Sequence, residues 1–163
     1  MRVTKFLLTA SLVCGLALAQ KGKPDVSGTW KLNTDKSRVS GAAVPVLVQT
    51  VEQQGRIVKV TTEGGATGDA KLLEGAFQVD GKIRVERLDA GHYRFTKVVW
   101  ETGTTDTLVF EFIVKDGKKE FSKVLSGLRE SWTLSPNGKV LTKFRRTNTG
   151  TKIEDDKYVF DKQ

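Results

Sequence analysis

With one cysteine, one histidine, three prolines and almost no helical periodicity, this 163-residue chain has few of the residues on which familiar chemistry is built. The cysteine, Cys14, lies within the one long apolar stretch, Phe6 to Leu18, which is shorter than the ~20 residues a membrane span needs. Arg2 and Lys5 precede that stretch, and Ala17-Leu18-Ala19 ends it with a small-x-small site. Residues 1–19 therefore read as a signal peptide cut before Gln20, and the protein is expected to be exported, periplasmic or extracellular. Lipidation at Cys14 is disfavoured by the bulky Val13 beside it. Once the signal is removed no cysteine remains, so disulfide and thiol chemistry are excluded.

A lone His92 excludes multi-histidine metal sites, and its neighbours Gly91 and Tyr93 supply no nucleophile for a Ser-His-Asp arrangement. A strand-start histidine facing solvent accounts for it without invoking a haem ligand. The glycine-rich stretch Glu63 to Gly68 has no Lys-Ser/Thr after it and no helix to open, so it reads as a loop rather than a phosphate cradle. No enzyme, cofactor or metal site is expected. After cleavage 25 basic residues face 19 acidic ones, a net charge of +6. The basic residues are scattered among acids, which argues against nucleic acid and leaves weak contact with anionic envelope polymers as the charge-based expectation.

What the chain does contain is β-strand signal. Runs rich in Val, Thr, Phe, Tyr and Trp recur between turns such as Gln54-Gly55, Asp80-Gly81, Asp116-Gly117 and Ser135-Pro136-Asn137-Gly138. Val46 to Gln53 and Arg56 to Thr62 form one hairpin; Leu128 to Leu134 and Lys139 to Thr147 form another. Asp106 to Lys115 alternates most cleanly, with Leu108, Phe110, Phe112 and Val114 on one face. Thr34 to Pro45 reads as a loop placed to cover an open end. Asn148 to Asp156 reads as a polar loop before a short last strand, Lys157 to Phe160. Residues 20–163 are thus expected to form a single all-β domain of about 8–10 strands, an antiparallel up-and-down β-barrel. Closure would remove the exposed edges of the first and last strands. A two-sheet sandwich is the alternative.

The stretch Asp25 to Asn33, containing Ser27-Gly28-Thr29-Trp30, together with Lys36-Ser37, Trp132 to Thr142 and the terminal Tyr158-Val159-Phe160, resembles exported bacterial lipocalin-like proteins. Gly28-x-Trp30 is similar to the first-strand motif of lipocalins and fatty-acid-binding proteins, the calycin superfamily. The resemblance covers the two ends of the chain. It implies that Gly28 and Trp30 close one end of a barrel against a cation from a late strand, Arg145 or Arg146.

Any ligand site should then lie towards the other end. A lipocalin-like interior would bind a small apolar or amphipathic molecule through Phe95, Trp100, Phe110, Phe112, Trp132, Phe144 and Tyr158, with Arg94 or Glu130 as polar handles. Glu130 shares parity with Leu128, Trp132 and Leu134. If that face points inward, its carboxylate must find a partner, and Arg94 and Arg146 are candidates; otherwise it is solvated. The competing function is a structural or interaction module of the cell envelope with a packed interior.

Overall fold

The computed structural model describes residues 22–40, 47–64 and 73–163. The expected signal peptide with Cys14, and residues 41–46 and 65–72, on which parts of the expected loops Thr34 to Pro45 and Glu63 to Gly68 fall, lie outside the described residues. Ten strands follow in order: β1 (Gly28–Leu32), β2 (Val48–Gln54), β3 (Ile57–Glu63), β4 (Gly75–Gln78), β5 (Arg84–Arg87), β6 (Tyr93–Glu101), β7 (Thr107–Lys115), β8 (Val124–Leu134), β9 (Val140–Asn148) and β10 (Ile153–Lys162). Two boundaries differ from the sequence reading. β8 runs unbroken through Gly127, which pairs with Ile113 and Asn148. β10 begins at Ile153, inside what reads as a polar loop, because Arg146 holds Asp155 by two hydrogen bonds at 2.7 and 2.8 Å across the β9–β10 ladder.

All ten strands lie in one antiparallel sheet, in the order β4-β3-β2-β1-β10-β9-β8-β7-β6-β5. The first and last strands pair, Trp30 opposite Lys162 and Leu32 opposite Phe160, as an up-and-down meander requires if its termini are not to be left as edges. The sheet is nevertheless not closed. β4 and β5, adjacent in the chain, stand at its two ends. Both are only four residues long, and the turn between them carries the chain away from β4 rather than back along it. Gly81, at φ 71°, donates its N–H to the Val98 carbonyl of β6 at 2.9 Å. Arg84 spans the gap, bonding Gln78 Oε1 at 2.7 Å and both oxygens of Asp80 at 2.8 and 3.0 Å. That guanidinium holds the Asp80 carboxyl down at about 2.

The open sheet curls over its own concave face. Phe77 of β4 meets Phe110 of β7 edge-on at 5.2 Å and Phe112 at 6.0 Å. One core fills the curl, drawing Trp30 and Leu32 from β1, Val51 from β2, Val58 and Val60 from β3, Val98 from β6, Leu108 and Phe110 from β7, Trp132 from β8, Leu141 from β9 and Tyr158 and Phe160 from β10. Along most strands these residues alternate with more exposed ones, which is why period-2 patterning finds most of them, whereas β7 and β10 each bury three residues in succession, Leu108 to Phe110 and Tyr158 to Phe160.

One end of the curl is sealed by the segment that precedes β1. Val26 is fully buried and its carbonyl accepts the Trp30 indole N–H at 3.0 Å. Its own N–H donates to Gln53 Oε1 at 3.2 Å. Lys23 reaches across to the β6–β7 turn, 2.7 Å from Thr102 Oγ1 and 3.6 Å from Asp106. Gly28 has φ 142°, and a Cβ there would stand 2.8 Å from Lys162 Cε. The glycine therefore makes room for the lysine stem that carries Nζ to 5.2 Å from the Trp30 ring centroid. Gly28→Ala is expected to destabilise the fold by roughly 1–3 kcal/mol, measured as a lowered urea midpoint with an unchanged slope.

Candidate functional site

The hairpin β8–β9 decides what lies inside. Leu134 pairs with Leu141, which places Lys143 opposite Trp132 and Arg145 opposite Glu130. With Trp132 and Leu134 turned to the core, their partners must share that face, so β9 presents two cations to the interior. Lys143 and Glu130 have no exposed surface, and Arg145 is 4% exposed.

The polar groups form one connected cluster. Glu130 accepts the Trp132 indole N–H at 2.6 Å on one oxygen; on the other it accepts Arg145 Nε at 2.7 Å, with the Arg145 terminal nitrogen at 2.6 Å. Lys143 Nζ lies 3.4 Å from the centroid of the Trp132 ring and 4.9 Å from that of Phe160. It donates to Gln49 Oε1 at 2.5 Å, and Gln49 in turn donates to Thr62 Oγ1 at 3.1 Å. Trp132 is the hinge of the cluster: its edge serves the anion and its face serves the cation. Arg145 also stands 5.4 Å from the Tyr158 ring centroid.

Burial dominates the electrostatics. Removal from water pushes the Lys143 ammonium down to about 7, against a pull upward from Glu130, and Arg145 adds to the fall. Burial also pushes the Tyr158 phenol up to about 12. Two basic side chains thus share the buried interior with Glu130, and Asp156, opposite Arg145 on β10 and 3.4 Å from the Tyr158 hydroxyl, adds a half-buried carboxylate beside them.

The remaining predicted residues are divided between the two faces. Phe110, Trp132 and Tyr158 are core residues, while Phe112 and Trp100 are half-buried and pack against that core. Phe144 and Phe95 are corrections. Phe144 is 51% exposed on the outer face, where it lines a groove of about 340 Å³ with Arg129, Ser131, Arg146 and Asp155. Phe95 pairs with Val85 and Ile113 on the same outer face, with Lys115 Nζ 5.0 Å from its ring centroid. Arg94 lies beside the β5–β6 turn and is bonded to Glu86 at 3.3 Å, and Glu130 takes Arg145 as its partner instead.

The cation over Trp30 is also corrected. Lys162 faces that ring, Arg145 is committed to Glu130 and Tyr158, and Arg146 is exposed and paired with Asp155. The register explains the exchange: Lys162 sits directly opposite Trp30 on the neighbouring strand, whereas Arg145 lies deeper in the interior and Arg146 points to solvent. His92 is exposed in the β5–β6 turn, 2.8 Å from Asp89.

Lys143 and Gln49 are the functional candidates that the sequence reading missed. A signal for Lys143 existed in the hairpin register, since a Trp-facing position on β9 had to be residue 143. Gln49 offered none, being one polar residue in an otherwise ordinary strand. Among the described residues no cluster of three or more His, Cys, Asp or Glu is placed to hold a metal ion, and no helix is long and apolar enough to cross a membrane. No family model matches the chain, and no curated protein matches it either.

Proposed function

We propose that this is an exported, non-enzymatic lipocalin-like barrel, open between β4 and β5, that binds a small amphipathic molecule by its anionic end. The observation that carries this reading is the buried Lys143, whose ammonium rests on an amide oxygen and two ring faces while Glu130 is taken up by Arg145 and Trp132. A carboxylate or similar anion brought beside Lys143 and Arg145 would meet two desolvated cations, where attraction is strongest. One layer further towards the end that carries the β5–β6 and β7–β8 turns stand Thr96, Phe112 and Leu128, all half-buried and suited to an alkyl chain.

Calorimetric titration with dodecanoate and with dodecanol tests the proposal. Dodecanoate is expected to bind and dodecanol to bind at least tenfold more weakly, about 1.4 kcal/mol. Lys143→Met should abolish the preference. A protein that takes up neither molecule would refute the ligand reading.

A second reading, a structural module of the cell envelope with a packed interior, is favoured by the zero exposure of Trp30, Phe110, Trp132 and Phe160. It requires no uptake of either amphiphile and an unchanged core in their presence, so the same titration separates the two.

A further inference from the structure

The hairpin turns between β5 and β6, β7 and β8, and β9 and β10 all fall at one end of the sheet, on neighbouring strand pairs. That end carries apolar side chains that face water without cover. Phe121, in the β7–β8 turn, is 95% exposed; Val124 at the start of β8 is 47% exposed; Ile153 at the start of β10 is 64% exposed; Leu88 before the β5–β6 turn is 40% exposed. Exposed apolar residues also occur elsewhere, Ile57 and Ile83 among them, but Phe121 is the most exposed of all and has apolar neighbours on the adjoining turns of this end.

The β7–β8 turn is built to hold its phenylalanine out. Asp116 donates its N–H to the Lys123 carbonyl at 3.0 Å, and Ser122 donates to Lys119 at 3.1 Å. Lys115 Nζ, coming from the strand below, donates to the Glu120 carbonyl at 2.9 Å. Around Phe121 stand Lys118, Lys119 and Lys123, all exposed and, among the described residues, without an ion-pair partner. The same turn also carries the exposed carboxylates of Asp116 and Glu120, which the lysines outnumber, and the acids of the other two turns are engaged by neighbours, Asp89 by His92 and Glu154 by Lys152.

An aromatic wedge ringed by free ammonium groups matches the boundary of an anionic bilayer, where the ring enters the acyl region and the lysines remain at the headgroups. We propose that this end of the sheet docks on an anionic lipid surface, with Phe121 as the inserted residue and Lys118, Lys119 and Lys123 as the headgroup contacts. Val124 and Ile153 widen the apolar contact on the same side. Docking depends on the turns alone and holds whether the interior is filled or hollow.

Flotation of the mature protein with vesicles of mixed phosphatidylglycerol and phosphatidylcholine, against vesicles of phosphatidylcholine alone, tests the docking. Binding to the mixed vesicles at low salt, falling as salt is raised, is expected. Phe121→Ser should weaken it roughly tenfold or more, as should the triple change of Lys118, Lys119 and Lys123 to Glu. Phe121 is too exposed for its loss to unfold the protein, and an unchanged thermal midpoint verifies this. Failure to float with anionic vesicles at low salt would overturn the proposal. So would a Phe121→Ser variant that binds as tightly as the parent while the charge reversal abolishes binding, since that pattern belongs to a polyanion held by charge alone.

Discussion

Glu130→Gln is expected to destabilise the protein by about 3–5 kcal/mol, the range for removing one member of a buried ion pair. The glutamine keeps an oxygen for the Trp132 indole, so shape and that hydrogen bond survive. What is lost is the charge facing Arg145, which is 4% exposed and cannot turn to water without moving β9. Urea unfolding at pH 7 measures the effect as a lowered midpoint. Adding Arg145→Met to Glu130→Gln should restore a large part of the loss, because the cation that had become uncompensated is gone. A cost for Glu130→Gln below about 1 kcal/mol would mean that water reaches the pair, contrary to the burial seen here.

The strands were largely legible in the sequence because most have one buried and one solvated face. The hairpin at Gly55, with φ 58°, and the one at Gly138, with φ 68°, stand where turn residues announce them. What misled was punctuation without its usual meaning. Asp80-Gly81 has the form of a hairpin turn, yet Gly81 bonds to β6 and the sheet opens there. Gly127 looks like a break and is a strand residue. Glu154-Asp155-Asp156 has low strand propensity, and cross-strand pairing with Arg145 and Arg146 overrides it.

The interior was legible in part. Glu130 shares parity with Trp132 and Leu134, a pattern that leaves both an inward and a solvated placement open, and burial against Arg145 decides it. β9 resisted the same logic because both of its faces are mixed: Leu141, Lys143 and Arg145 on one, Val140, Phe144 and Arg146 on the other. Hydrophobicity alone assigns Phe144 inward, and the register with β8 reverses that. Opposite charges at paired positions, Glu130 and Arg145, were the sequence-level clue that the more polar face is the buried one.

Lys143 provides the largest pH effect. Its ammonium titrates near 7 in the folded protein, against 10.5 for an ordinary lysine. Between those values the unfolded chain binds a proton that the folded protein does not, so this group makes stability rise with pH from about 7 to about 10. Below 7 both states are protonated and the full burial penalty is present. The rise is bounded above by Tyr158, whose phenol is pushed up to about 12 and which makes stability fall once unfolded tyrosine ionises near 10. Replacing both Lys143 and its amide partner, as Lys143→Met with Gln49→Leu, removes the buried cation without leaving the Gln49 oxygen unpaired. That double variant is expected to be more stable than the parent at pH 6–7 by roughly 1–4 kcal/mol. The gap should close as pH approaches 10, which urea midpoints measured across that range would display. Parallel stability curves would show that Lys143 keeps its proton throughout. With dodecanoate bound, the carboxylate should raise the Lys143 pKa, so binding at pH 8 takes up a proton and its heat varies with the ionisation enthalpy of the buffer. A heat of binding that does not vary with the buffer would mean that Lys143 takes up no proton when dodecanoate binds.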